Sequence, residues 1–418
     1  MKFHHIRDPV HRHISIPEQG VTSDLIDTLE FQRLRYIRQL GVTYQTYPGG
    51  EHSRFFHSLG VSHIAGRMYD AVAGEKANAE EKSKLQIAAL LHDVGHSPFS
   101  HLLERFFTPD ASHETWGQRI VLDGNTDVGE ALRKSSYTPA EIAALIGKDP
   151  SKPRYLHLIV SSQMDADRFD YLLRDAYYTG APYGNFDIER IMHTILTAED
   201  DSIRVLSKGM FSVEGYLMSR YHMYNQVYLH KTTLCFEFLL KSILRRAVDL
   251  VNRGVTPAPR LPSFGNVPLG TNLNLDPGQY ASVTDTEILS CIREWTNSPD
   301  QVLSDLSKRF MRRRPIFKPV KDPVIGHQAL WERKGKIETL LQSHGLDPQY
   351  YLSVEMGAVK DAYTPYSPQK EDQENAIFLD DNREISDVLP GLKALGIGPT
   401  TLVCVPEECR DEIAGVLR

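Results

Sequence analysis

Leu85, Ile87, Ala88, Ala89, Leu90 and Leu91 make an apolar run that closes on His92-Asp93. The run reads as a buried helix ending at Gly95. An imidazole and a carboxylate at the end of a core helix are costly unless something pairs with them. A divalent metal ion is such a partner, because histidine nitrogens and aspartate oxygens are ligands that borderline and hard cations accept. A His-Asp dipeptide alone carries little weight, since it arises by chance in many chains. Its setting between His57 and Asp167 carries more. His57 opens a segment, 57–65, whose apolar residues recur at helical spacing, and Asp167, Tyr171 and Asp175 fall at i, i+4 and i+8 on one helix face. Three helices converging on these residues would build a four-ligand site, His57, His92, Asp93 and Asp167, inside a bundle.

The rest of the chain supports a mainly α fold. Its 418 residues, 41% hydrophobic and 24% charged, are ordinary globular composition with room for a large core. A short N-terminal hairpin, punctuated by Asp8-Pro9 and Pro17, comes first. Alternation scatters His4, His5, His11 and His13 over its two faces, so they are expected to be ordinary hairpin residues. Helices are expected at about 23–39, 57–73, 80–94, 112–122, 129–134, 139–146, 155–175, 187–196 and 212–252, the last as two helices or one kinked one. A linker at about 253–280 is rich in Pro, Gly and Asn. Helices resume near 285–294 and 299–312. Strands at about 315–320, 350–356, 376–379 and 401–405, with helices near 385–395 and 407–417, make a small α+β tail. The expected division is a catalytic core with hairpin over 1–252, a linker and helical extension over 253–314, and a C-terminal α+β subdomain over 315–418.

No stretch of eighteen apolar residues is present, and the N-terminal residues lack the apolar centre of a signal peptide. Four irregularly spaced cysteines suit a reducing compartment, so a cytoplasmic protein is expected. Cys404 and Cys409 are not followed by a second pair that would complete a zinc site. A net charge of −7 argues against a duplex-DNA binder. Lys308-Arg309 with Arg312-Arg313-Arg314 is the clearest basic cluster, read as a solvated helix end or as a holder of phosphates.

Three longer stretches go beyond composition: Arg54-Phe55-Phe56-His57-Ser58-Leu59-Gly60-Val61, then Leu91-His92-Asp93-Val94-Gly95-His96-Ser97-Pro98-Phe99-Ser100-His101, then Asp165-Ala166-Asp167-Arg168-Phe169-Asp170-Tyr171. With the stretch Asp27 to Gly41, they resemble the HD-domain phosphohydrolases, and more narrowly their deoxynucleoside triphosphate triphosphohydrolase branch. The resemblance covers about residues 5 to 250, in the family's order, and no SAM domain accompanies it. It implies an HD-domain helical bundle in which His57, His92, Asp93 and Asp167 bind the metal. It also implies a catalytic group of His96, His113 and Glu104, the last where the family more often has aspartate. Arg54 and Arg168 would grip the triphosphate, Arg168 standing where vertebrate members have lysine. Gln39, Tyr171 and Asp175 would hold the sugar, and Arg220 and Tyr228 would contact substrate. The stretch Asp8-Pro9-Val10-His11 would help build an allosteric nucleotide site between subunits, where Asp27, Gln32 and Arg35, with His230 and Lys231, would bind dGTP or GTP. Tyr224 departs from the histidine of vertebrate members. A homotetramer or other symmetric homo-oligomer is implied as well.

These roles make physical sense. A nucleoside triphosphate is anionic, so a net-negative protein must gather cations at its site, and guanidinium forks suit phosphate oxygens. Histidine near its working pKa, His96 or His113, can exchange the proton. The metal is left open among Fe, Mn, Zn, Ni and Mg, with Mg expected on the substrate phosphates. Hydrolysis of deoxynucleoside triphosphates to deoxynucleoside and tripolyphosphate is the leading expectation. Two alternatives stay open: a phosphodiesterase or nucleotidase of the wider superfamily, and a nucleotide-sensing or single-stranded nucleic-acid-binding protein.

Overall fold

The computed structural model describes residues 2–107, 111–147, 151, 153–259, 276–314, 316–320, 327–356, 376–395 and 401–417. The centre of the expected linker, 260–275, lies outside the described residues. The chain divides into two compact units. The first comprises Met1–Val227, Asn274–Thr284 and Asp361–Gly396; the second comprises Tyr228–Leu273, Asp285–Lys360 and Ile397–Arg418.

In the first unit, β1 (Phe3–Asp8) pairs antiparallel with β2 (Arg12–Pro17), from Phe3 opposite Pro17 to Asp8 opposite Arg12. Ile14 and Ile16 face inward as their alternation requires. The segment expected as one helix over 23–39 is broken into α1 (Val21–Ile26), α2 (Leu29–Arg33) and a 3-10 turn, Leu34–Tyr36. Thr28 sits in extended backbone between the first two and directs its hydroxyl to the Leu25 carbonyl, which stops the helix.

The centre of the unit is α3 (Arg54–Ala73), which packs against α4 (Ala79–Leu91) and α10 (Ala166–Thr179). Phe55, Leu59, Val61, Ile64, Met68 and Tyr69 are all buried, so α3 is apolar around most of its girth, as a central helix must be. Asn78 caps α4 by accepting from the Glu80 and Glu81 amides. Between α4 and α10 come α5 (His101–Phe107), α6 (His113–Leu122), α7 (Asp127–Lys134), α8 (Pro139–Ile146) and α9 (Arg154–Val160). Thr138 and Glu141 form a reciprocal capping box on α8 with Pro139 at its first turn.

The single helix expected over 155–175 is two helices, α9 and α10. Asp165 is the reason: its carboxylate accepts from the Arg168 and Ser162 amides, which starts a new helix. Likewise 187–196 is α11 (Ile188–Met192) followed by β3 (Ile195–Thr197), which pairs with β4 (Ile203–Val205). The strand Phe378–Leu379 joins this sheet parallel to β4. The stretch expected over 212–252 is α12 (Met210–Met223), a π-helical turn Tyr224–Tyr228, and α13 (Lys231–Asn252).

The second unit is built on α13 and the helices Asp285–Trp295 and Gln301–Arg312. A three-stranded antiparallel sheet places Thr401–Pro406 between Phe317–Pro319 and Ser353–Met356. Tyr350 and Tyr351, expected in a strand, close a short helix instead, Pro348–Tyr351. Arg309 is buried and paired with Asp305 and Glu408, so it is not part of a solvated helix end; Arg312, Arg313 and Arg314 are exposed. Among the described residues no helix is long and apolar enough to cross a membrane.

Candidate functional site

The apolar helix α4 ends at Leu91, one turn earlier than Gly95, and His92–Gly95 forms a turn beyond it. The tight bend has a packing cause. A Cβ on residue 95 would lie 2.1 Å from the His113 carbonyl oxygen and 2.2 Å from the Gly117 nitrogen, so only glycine lets α6 approach. His92 donates Nδ1–H to the Ala89 carbonyl at 2.7 Å, which leaves Nε2 as a lone pair. Nε2 lies 3.2 Å from Asp93 Oδ1 and 3.8 Å from Asp167 Oδ1.

From α3, fully buried His57 donates Nδ1–H to Asp170 Oδ2 at 2.8 Å and turns Nε2 toward Asp167 Oδ1, 3.0 Å away, and Asp93 Oδ2, 3.7 Å away. Despite that proximity, Nε2 is buried without a well-directed hydrogen bond. An orphaned imidazole nitrogen among carboxylates is what a metal ligand looks like without its metal. The ligand atoms of His57, His92 and Asp93 lie within 4.8 Å of one another, and Asp167 approaches both imidazoles from its partly open side. These residues therefore fit a divalent cation.

The electrostatics agree. Burial alone would push the His57 imidazole down, yet the close Asp167 carboxylate, the Asp170 carboxylate that takes its Nδ1–H and the nearby Asp93 charge raise it to about 10. Burial works against ionisation of Asp93 too, but Arg54, His92 and His96 hold it well below the carboxylate range. Asp167 is likewise lowered, against its burial, by His57 and His92. The pocket has more negative charge than its side chains neutralise, and it draws in a positive charge, proton or metal.

Beside this pocket stand three histidines. His96 Nε2 lies 3.1 Å from Asp93 Oδ1, and its Nδ1 is buried without a partner. It stacks on His113 with ring centroids 4.0 Å apart. Burial, with the Arg54 and His113 charges, holds His96 well below its ordinary value, so its imidazole is neutral and Nδ1 is an open acceptor. Glu104 accepts the His113 amide at 2.7 Å, His113 Nδ1 at 3.2 Å and His101 Nδ1 at 3.0 Å. His101, to which the motif reading assigned no role, thus joins His96 and His113. Their ligand atoms, too, lie within 4.8 Å of one another. His101 sits five positions after His96, off any helical period, because Phe99 and Ser100 both take left-handed backbone, φ 55° and 59°. Ser97 ties that turn to Ser100, and Ser100 receives Arg54 Nε at 2.8 Å.

Arg54 is engaged by Asp93 at 2.5 Å as well as by Ser100. Arg168 pairs with Asp165, and Arg220 donates to Gln163 at 3.2 Å, yet each guanidinium keeps a buried Nε without a hydrogen-bond partner. Burial and the neighbouring Tyr224 raise Tyr171 well above the phenol range, with Arg220 and Arg168 opposing. Asp175 is held by buried His52, Nε2 to Oδ1 2.8 Å, and the Gln39 side-chain oxygen is buried without a partner. Gln32 and Arg35 bond each other at 2.7 Å, Arg35 lies over the Phe55 ring, and Asp27 closes α1 on the exposed side. Tyr228, His230 and Lys231 belong to the second unit, where Tyr228 ends the π-helical turn, His230 caps α13 and Lys231 opens it.

Comparison with known proteins places this arrangement. The family model described as HD domain matches residues 54–174. The chain is 41% identical over 377 residues to the uncharacterized protein YwfO of Bacillus subtilis, spanning 89% of this chain and 84% of that protein. It is 30% identical over 284 residues to the deoxynucleoside triphosphate triphosphohydrolase SAMHD1 of Homo sapiens, over 59% of this chain and 45% of that one; the match thus spans less than half the human protein. The crystal structure of a phosphohydrolase from Bacteroides thetaiotaomicron superposes with a TM-score of 0.82 at 31% identity, over 97% of this chain and 100% of that one.

Proposed function

Because the chain belongs to the HD-domain family of phosphohydrolases, we propose that it hydrolyses deoxynucleoside triphosphates to deoxynucleoside and tripolyphosphate. His57, His92, Asp93 and Asp167 are the residues that would hold the metal. When bound, such an ion supplies Lewis-acid polarisation and neutralises developing phosphate charge. Its identity among Fe, Mn, Zn, Ni and Mg is set by availability as much as by these mixed N/O ligands, and Mg accompanies the substrate phosphates.

The observation that carries this reading is that two features meet where Asp167 and Arg168 adjoin on α10, with Arg220 near enough to Arg168 for their charges to interact. One is the acid-rich pocket around orphaned His57 Nε2; the other is the buried guanidinium pair Arg168 and Arg220, with Nε donors still open. An anionic polyphosphate satisfies those donors while Arg54 neutralises charge beside Asp93. His96 Nδ1, neutral and open, accepts the proton of the attacking water. His113, steadied by Glu104, returns a proton to the departing 5′ oxygen as the bond from the α-phosphorus breaks. Tyr171, Asp175 and Gln39 hold the sugar, with Tyr171 where a 2′-hydroxyl would otherwise sit, and Tyr228 adds a substrate contact. Asp27, Gln32 and Arg35, with His230 and Lys231, serve a dGTP or GTP effector in a homotetramer or other symmetric assembly.

A second reading rests on one observation: His96, His101 and His113 make a second group of ligand distance, which favours a two-metal phosphodiesterase or nucleotidase.

Incubation with each deoxynucleoside triphosphate, with and without dGTP or GTP, tests the proposal by its products. Tripolyphosphate and deoxynucleoside are expected, whereas orthophosphate or pyrophosphate alone overturns it. Metal analysis is expected to give about one ion per chain in the pocket; a ratio near two favours the second reading. Asp93→Ala should lose both metal and turnover, and an active D93A protein defeats the site assignment.

A further inference from the structure

The N-terminal hairpin reaches the metal pocket. Its turn is pinned by Asp8, whose Oδ1 accepts the Val10 amide at 2.9 Å and the His11 amide at 2.8 Å. Asp8 Oδ2 accepts Arg174 Nη1 at 2.7 Å. His11, whose side chain is 4% exposed, places Nε2 2.6 Å from Asp170 Oδ1. Asp170 also accepts Arg174 Nε and Nη2, each at 2.8 Å, and His57 Nδ1 at 2.8 Å. This fully buried carboxylate therefore has four N–H donors: one from α3, two from its own helix and one from the hairpin. The crossing is close. A Cβ on Gly60 of α3 would lie 1.8 Å from Asp170 Oδ1, so residue 60 must be glycine for the two helices to meet.

Asp170 decides which nitrogen of His57 faces the pocket. By taking Nδ1–H it leaves the Nε2 lone pair toward Asp93 and Asp167. The direction of that lone pair follows the plane of the Asp170 carboxylate. Arg174 fixes one edge of the plane, and His11, reaching in from the hairpin, fixes Oδ1. Two carboxylates, Asp8 and Asp170, share one guanidinium, so the histidine N–H groups are needed to satisfy the remaining charge.

We infer that His11 is a positioning residue for His57, and that the turn Asp8–His11 belongs to the outer shell of the metal site. The hairpin must be seated for His57 to present Nε2 correctly, so metal affinity depends on a segment far from it in sequence. This inference rests on the metal-site reading above.

The test uses the full chain, stripped with a chelator and titrated with Co(II), whose visible absorption reports ligand geometry. His11→Asn is polar but too short to reach Asp170; His11→Gln carries an amide N–H about as far as the imidazole did. His13→Ala, on exposed β2, is the control. H11N should weaken Co(II) binding about 10- to 100-fold, the usual effect of removing an outer-shell partner, and alter the Co(II) spectrum. H11Q should restore most of both, H13A should bind like wild type, and all three should melt near the wild-type temperature without metal. H11N binding Co(II) within twofold of wild type overturns the inference alone. An equal loss in H13A does the same, because the effect is then general to the hairpin. A wild-type chain that takes up no Co(II) overturns the metal reading together with it.

Discussion

Glu104 takes three N–H groups from two histidines, which makes one carboxylate responsible for the orientation of both His101 and His113. Despite its partial burial, those partners hold its pKa below the usual range, so it is ionised at any working pH. Glu104→Gln keeps the shape, removes the charge and offers one acceptor oxygen where there were two. Its kcat should fall about 10²- to 10⁴-fold, the range for disabling an acid–base group, with bound metal unchanged. Steady-state kinetics beside metal analysis decide it: a full kcat in E104Q removes Glu104 from the proton path. His11 shows the opposite case, where a residue that alternation marks as ordinary is buried by its fold and bonded to a carboxylate 159 positions away.

The helices bring these residues together through their ends more than their faces. The α4 terminus presents His92 and Asp93, the first turns of α3, α5, α6 and α10 supply His57, His101, His113 and Asp167, and Asp165 starts α10 where the apolar pattern suggested no break. Gly95 sets the spacing between α4 and α6. A methyl there would meet backbone atoms, which cannot yield by changing rotamer. Gly95→Ala should cost about 3 kcal/mol of stability, toward the upper range for overpacking, and displace His113. Urea unfolding should show a lower midpoint at unchanged slope, and a G95A chain as stable and active as wild type would show that the contact relaxes freely.

At the scale of the whole molecule, His57, His92, Asp93 and Asp167 all lie in one of two compact units, so metal removal should act unequally. A ligand at a hundred times its dissociation constant stabilises the state that binds it by about 2.7 kcal/mol. Chelation should therefore lower the unfolding temperature of the unit holding His57 and leave the transition of the other unit where it was. Calorimetry with and without Mn(II) or Zn(II) measures this, and no shift in either transition argues against a structural hold on the ion. What the sequence determined by itself was local. The apolar periodicity of α3 and α4, the hairpin alternation, the capping residues and the words around His57, His92-Asp93 and Asp167 gave a mainly α fold and an HD-domain family, because helices and motifs are written in neighbouring residues. Only the tertiary structure decided that His101 stands with His96 and His113, that Arg309 is buried between Asp305 and Glu408, and that His11, Asp170 and Arg174 support His57. Apart from the i, i+4 pairs Asp305–Arg309 and Asp170–Arg174, those contacts join residues that share no helical period. Around the metal pocket they follow from close helix packing, which Gly60 and Gly95 permit by having no side chain.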